Sequence, residues 1–184
     1  MLKTTDRAVE RTQQVLALLM SAKAASYSGE AVSHLEHALQ CAFFAKKSNA
    51  NDTMVLGALL HDIGHIGMYD SNACHEERGA LLLRQFGFGQ NVVSLVLGHF
   101  EAKRYLVYRN RRYLTRLSWE TRRTLDRQGG PMTVFEAEIF ERDPLFKDRL
   151  VLREWDERAK VPKFAVPGLE TYRAAIERHL AQGS

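Results

Sequence analysis

The chain has 184 residues, 45% hydrophobic and 26% charged, which suits one soluble domain over 1–184 able to bury roughly 70% of its unfolded surface. No segment approaches the roughly 18 apolar residues of a membrane span, and Met1 to Arg7 runs into charge without the apolar core of a signal peptide. A cytoplasmic protein without a membrane partner is expected, and the net charge of +4 leaves nucleic acid or a small anion as the ligand classes to separate.

The apolar positions Val9, Leu16, Leu19 and Met20 predict an amphipathic helix over about 6–25. The small and polar run Ser26-Tyr27-Ser28-Gly29-Glu30 breaks it and predicts a loop. Leu35, Leu39, Ala42 and Phe43 predict a helix over 32–47 that carries His34 and His37. Asn51 or Asp52 should cap the next helix, whose apolar run Val55, Leu56, Leu59 and Leu60 ends at His61-Asp62-Ile63-Gly64-His65. Gly64 and Gly67 then allow the backbone to turn. A helix beginning at His75 should end near Gly87, and another through Val92–Leu97 should deliver His99 and run toward Tyr105.

Eight basic residues follow between Lys103 and Arg123: Lys103, Arg104, Arg109, Arg111, Arg112, Arg116, Arg122 and Arg123. No nucleic-acid-binding motif accompanies them, so a solvated basic face or a field for a small anion is expected instead. Ser118 should cap a helix over 119–127, stopped by Gln128-Gly129-Gly130-Pro131. Thr133 and Glu136 have capping-box spacing for a helix to about Glu141. Phe146 to Lys160 and Leu169 to Ala181 complete the predicted helices, with Pro162 and Pro167 in the loop between them. No useful strand pattern occurs, so the fold class is all-α. Cys41 and Cys74 are too few for a disulfide framework and lack metal-finger spacing, so both are read as structural thiols.

The chemically informative residues are His37, His61, Asp62, His75, His99 and Asp156. Four imidazoles and two carboxylates in the order H, HD, H, H, D make a ligand set for two metal ions, and the absence of thiolate points to iron, manganese or zinc. Lys103 lies four residues after His99 and Arg153 three before Asp156, so helical spacing would bring each beside a ligand. His179 is read as a surface residue and His34 as a supporting one.

His37, His61-Asp62 and Asp156 match the HD-domain superfamily of helical metalloproteins. The stretches Tyr27-Ser28-Gly29-Glu30, Leu35 to Gln40, His75-Glu76-Glu77-Arg78-Gly79, Ala102 to Leu106, Gln128 to Met132 and Leu152 to Asp156 resemble the phosphonate-cleaving oxygenases, HD-domain mixed-valent diiron enzymes related to myo-inositol oxygenase. The resemblance implies a single HD-domain helical bundle with two iron ions, Fe(II) and Fe(III). It assigns His37, His61, Asp62 and Asp156 to one iron and Asp62, His75 and His99 to the other, with Asp62 bridging. The implied reaction joins O2 to a 1-hydroxy-2-aminoethylphosphonate, as the free amine or N-trimethylated. It gives glycine or glycine betaine and inorganic phosphate, downstream of a hydroxylase that makes the substrate.

By the same resemblance, Tyr27, Glu30, His65 and Lys103 take catalytic and substrate-binding roles. His65, Lys103 and Arg153, with the hydroxyls of Thr121 and Thr124, would hold the phosphonate. Glu30 would meet the amine, and Tyr27 would cover an iron position until substrate arrives. Tyr27, Tyr69 and Phe100 are the aromatic residues available for a quaternary amine. The competing enzymatic reading is a metal-dependent HD phosphohydrolase acting on a nucleotide or phosphodiester, which uses the same ligand order to activate water. A non-catalytic helical module is the third reading.

Overall fold

The computed structural model describes residues 4–24, with side chains from residue 6, and residues 26–27, 31–66 and 74–182. Glu30, Gly67 and Tyr69 therefore lie outside the described residues. Within them the chain forms α1 (Thr4–Ser21), α2 (His34–Lys47), α3 (Asp52–Leu60), α4 (His75–Phe86), α5 (Gln90–Arg109), α6 (Trp119–Arg127), α7 (Val134–Glu141), α8 (Phe146–Arg158) and α9 (Arg173–Gln182). The extended pairing among them is a single bridge between Ser26 and Ser33 that closes the loop before α2. The all-α class follows.

The arrangement is organised around α3. Every residue from Met54 to Leu60 is buried, so this helix has no polar face to give to water and can sit only inside the protein. It packs on α2, α5, α8 and α9. Leu56, Leu59 and Leu60 are 0–1% exposed, and each contributes about 1.5–3 kcal/mol through burial. A buried helix must also end in the interior, and α3 thereby delivers His61 and Asp62 there, 1% and 9% exposed. One core joins side chains from α1 through α5 with Leu152 and Trp155 of α8 and Ile176 and Leu180 of α9. Two smaller clusters, Val107-Leu117-Leu125 and Ala102-Tyr105-Met132-Ala137-Phe140, fasten α6 and α7 to the far half of α5.

The caps explain most helix starts. Ser33 and Glu36 make a reciprocal capping box on α2, which brings its start to His34 rather than residue 32. Asn51, not Asp52, caps α3 by accepting from the Met54 amide at 2.9 Å. Ser118 and Thr133 cap α6 and α7 as their spacing predicts. Gly87 ends α4 in the left-handed region at φ 88°, where a side chain would be strained.

Four sequence expectations need correction. The first helix stops at Ser21 and passes into a 3₁₀ turn at Ala22–Ala24. The eighth ends at Arg158 rather than Lys160, because the Ala159 carbonyl turns aside to accept from His37 Nδ1 at 2.8 Å. The last begins with a 3₁₀ turn, Leu169–Tyr172, and α9 follows. His179 is not a surface residue: it is half-buried, stacks on Phe88 and accepts the Gly89 amide at 3.0 Å.

Candidate metal centre and its cavity

Five elements converge on one point. His37 comes from α2, His61 and Asp62 from the end of α3, His75 from the first position of α4, His99 from mid α5 and Asp156 from the last turns of α8. They fall into two groups, His37-His61-Asp156 and Asp62-His75-His99, and within each the ligand-type atoms lie within 4.8 Å of one another. Asp62 faces both. Its Oδ2 stands 3.6 Å from His37 Nε2 and 3.3 Å from His61 Nε2, and its Oδ1 stands 3.4 Å from Nε2 of both His75 and His99. One carboxylate thus presents an oxygen to each group.

The hydrogen bonds on the far side of the rings decide what these atoms can do. Nδ1 of His37, His61 and His99 donates to the carbonyls of Ala159, Ala58 and Val96 at 2.8, 2.9 and 2.7 Å. A neutral imidazole that donates from Nδ1 has a lone pair on Nε2. The His37 and His61 Nε2 atoms, 3.1 Å apart, therefore meet lone pair to lone pair, which is repulsive until a cation lies between them. The His75 and His99 Nε2 atoms are 3.3 Å apart. Two donors sharing an ion at about 2.1 Å are separated by roughly 3.0–3.4 Å, so both spacings suit a transition-metal ion. Asp156 Oδ1 is buried with no hydrogen-bond partner, 3.4 Å from His37 Nε2. The donor set fits a metal centre.

The electrostatics support this arrangement. Burial opposes ionisation of Asp62, yet the charge and hydrogen bonds of His61, His75 and His99 hold its pKa well below the usual carboxylate range. Asp156 is likewise held well below it, against burial, by the Arg153 guanidinium and by His37. Burial alone would pull His61 down, but Asp62 and the neighbouring Cys41 push it well above its ordinary value, so a proton can serve as the cation between the two rings and a metal ion must displace it.

A cavity of about 60 Å³ opens over the Asp62-His75-His99 group. Lys103 and Arg153 lie on its wall, 4% and 5% exposed, where an ordinary surface base would be solvated. Lys103 donates to Thr124 Oγ1 at 2.9 Å. Burial, and next the Arg153 charge, pull its pKa from 10.5 to about 8. Arg153 is held by Asp156 Oδ2 at 2.5 Å and by Tyr113 and Glu157 at 3.0 Å, while its buried Nη2 has no hydrogen-bond partner. Thr121 and Thr124 line the same wall from α6. His65 stacks on His75 at the rim with its side chain 32% exposed; loss of water around the ring lowers its pKa to about 4, opposed by the Asp62 charge and helped by the imidazoles of His75, His34 and His99.

Tyr27 stacks on His37 with ring centroids 4.0 Å apart, and Lys160 Nζ lies 5.6 Å from its ring centroid. Burial, followed by the charges of Asp62 and Asp156, raises the phenol well above its usual value. His34 packs edge-on against Tyr27 and lies near His65.

Of the eight basic residues between Lys103 and Arg123, Lys103 is the one on the cavity wall. Arg104 pairs with Glu136 at 2.7 Å, Arg123 with Glu120 at 3.0 Å, and Arg122 donates to the carbonyls of Leu117 and Thr115. The run is mainly a structural and solvated face. Sequence reasoning gave no role to Glu76, Gln128 or Lys160, yet Gln128 and Lys160 line the cavity and Glu76 is buried beside His75. The available signals were the place of Glu76 directly after a ligand and that of Gln128 at a helix stop.

Residues 34–132 match the HD domain. That segment spans more than half of the chain and carries five of the six ligand-type residues, in the order and geometry described above. The chain belongs to the HD-domain family. Among its relatives, the hydroxymethylphosphonate dioxygenase of Gimesia maris is 39% identical over 168 residues, covering 86% of this chain and 83% of the relative. The [1-hydroxy-2-(trimethylamino)ethyl]phosphonate dioxygenase (glycine-betaine-forming) of Leisingera caerulea is 36% identical over 160 residues, covering 83% and 81%. Asp156 lies outside the matched HD segment, so α8 completes a site whose other ligand-type residues lie inside it.

Proposed function

We propose that this HD-domain protein is an O2-dependent oxygenase that cleaves the C–P bond of a small 1-hydroxyalkylphosphonate. The observation that carries the reading is one cavity in which Asp62, which faces both ligand groups, meets the buried cations Lys103 and Arg153. Both relatives are named as dioxygenases of hydroxyphosphonates. His37, His61, Asp62 and Asp156 would hold one iron, and Asp62, His75 and His99 the other. Such a pair, as Fe(II) and Fe(III), would supply Lewis acidity toward the substrate hydroxyl and a redox couple for O2.

The protein's own contribution is charge and orientation. Arg153 offers its unpartnered Nη2, Lys103 an ammonium and Thr121 and Thr124 hydroxyls to the phosphonate oxygens, with His65 at the rim. Tyr27 on His37 shields the deep side from water. The overall reaction balances without an external reductant: a 1-hydroxyalkylphosphonic acid plus O2 gives a carboxylic acid plus phosphoric acid.

The finer reading is 1-hydroxy-2-aminoethylphosphonate giving glycine, with Glu30 on the amine. The trimethylammonium form, giving glycine betaine, stands beside it, because the Lys160 cation facing the Tyr27 ring would repel a primary and a quaternary ammonium there alike. The small cavity supports a second reading, hydroxymethylphosphonate, with no amine to place. The whole of 1–184 acts as one domain, and an upstream hydroxylase supplies the C1 hydroxyl.

Phosphate release from the three hydroxyphosphonates, with and without O2, tests the reading. Release should require O2 and be lost when zinc replaces iron. Equal release under strict anaerobiosis would overturn the oxygenase, and O2-independent turnover of a nucleotide or phosphodiester would establish the phosphohydrolase instead.

A further inference from the structure

Three of the four imidazoles in the site are oriented by backbone carbonyls, and His75 is the exception. The carboxylate of Glu76, 1% exposed, stands beside it with Oε2 3.3 Å from His75 Nδ1. That oxygen makes no hydrogen bond, while the other accepts from Nε2 of Gln128, the residue that ends α6 on the cavity wall. Gln128 Oε1 is itself buried and unpartnered. Burying a carboxylate is costly unless something nearby uses its charge. A first-turn position on α4 does not account for it, because Glu77 shares that turn and is exposed.

We propose that Glu76 is a positioning residue for His75, and that Gln128 ties it to the substrate cavity. The inference rests on the metal reading above. With His75 protonated on Nδ1 toward Glu76, its Nε2 is aimed at His99 and Asp62 and becomes a stronger donor than an imidazole backed by a neutral carbonyl. The Asp62-His75-His99 position is thereby distinguished from the deeper one, whose Asp156 gives charge away to Arg153. Through Gln128, the orientation of a ligand is coupled to α6, which also carries Thr121 and Thr124.

The test uses Glu76→Gln, which keeps the shape and removes the charge, with Glu77→Gln as the exposed neighbour. Iron stoichiometry and affinity are measured with the electron paramagnetic resonance of the mixed-valent protein and with KM and kcat for hydroxymethylphosphonate. Glu76→Gln should weaken one of two irons by roughly ten- to a hundred-fold, change the resonance and lower kcat more than it raises KM. Glu77→Gln should match wild type in all three. Gln128→Ala, which leaves Glu76 in place, should weaken the same iron by a smaller factor, and it decides the matter if Glu76→Gln does not fold. Wild-type affinity and resonance in both Glu76→Gln and Gln128→Ala would overturn the role of Glu76, whereas a wild-type chain that binds no metal would overturn the metal reading itself.

Discussion

The two ligand groups sit side by side yet are built differently. In the deep group, His37, His61 and Asp156 are 0–4% exposed; each ring is fixed by a carbonyl, and the carboxylate is fixed by Arg153. In the shallow group, the His75 side chain is 17% exposed, is the first residue of its helix and forms part of the cavity wall. The deep group is set among α2, α3 and α8, with Asp156 reaching the cavity wall while His37 and His61 do not, so its geometry belongs mainly to the core. The shallow group faces the cavity, so an ion there can take a ligand from outside. Enclosure suits retention, and openness suits exchange.

The variants that break this contrast rank by how many groups each touches. Asp62→Ala removes the one carboxylate shared by both, and should abolish activity and lower the occupancy of both metals. Metal analysis that finds two ions as tightly held as before would remove Asp62 from the bridge. His37→Ala should empty the deep position, whereas His75→Ala should deplete the shallow position and leave the deep one filled. The opposite pattern would reverse the two groupings.

Arg153→Ala should cost more than Lys103→Ala, since Arg153 serves both the cavity and Asp156. Breaking a buried ion pair costs about 3–5 kcal/mol of stability, which thermal and denaturant melts would register. Lys103→Ala should chiefly weaken substrate affinity, by about 1.5–3 kcal/mol or roughly ten- to a hundred-fold, with metal content unchanged. Equal melts for the two variants would mean that Arg153 does not support Asp156.

Gly64 sharpens the contrast from the side of the fold. A Cβ there would lie 1.9 Å from the His75 carbonyl oxygen and 2.7 Å from the Gly79 amide, both backbone atoms. Gly64→Ala must push the start of α4 away, with a loss of at least ~1–3 kcal/mol. The shallow metal should weaken before the deep one, as stepwise chelation would reveal.

The smallest effect is on pH. Lys103 must be protonated to attract the phosphonate, and its pKa is about 8. The kcat/KM profile, which follows the free enzyme, should therefore be level below pH 8 and fall above it. Lys103→Arg should remain charged and carry activity to higher pH. A fall at the same pH in Lys103→Arg would assign the titration to another group.

Much of this was legible in the sequence, because its signals are local. Apolar spacing marked the helices, Ser118 and the Thr133/Glu136 pair marked two starts, and the apolar run Val55, Leu56, Leu59 and Leu60 marked the helix that ends at His61-Asp62, though not that it is buried on every side. The identity and order of the six ligand-type residues were readable for the same reason. Tertiary structure alone decided which atoms face which. That Asp62 turns one oxygen to each group, that Ala159 leaves its helix to hold His37, and that Arg153 is buried on the cavity wall beside Tyr113 depend on contacts between residues far apart in the chain. The basic run shows the converse: eight cations looked alike in sequence, and burial brought Lys103 to the cavity while the others pair with carboxylates and carbonyls or face solvent. Charge is written residue by residue, but its effective strength is set by the solvent that packing removes around it.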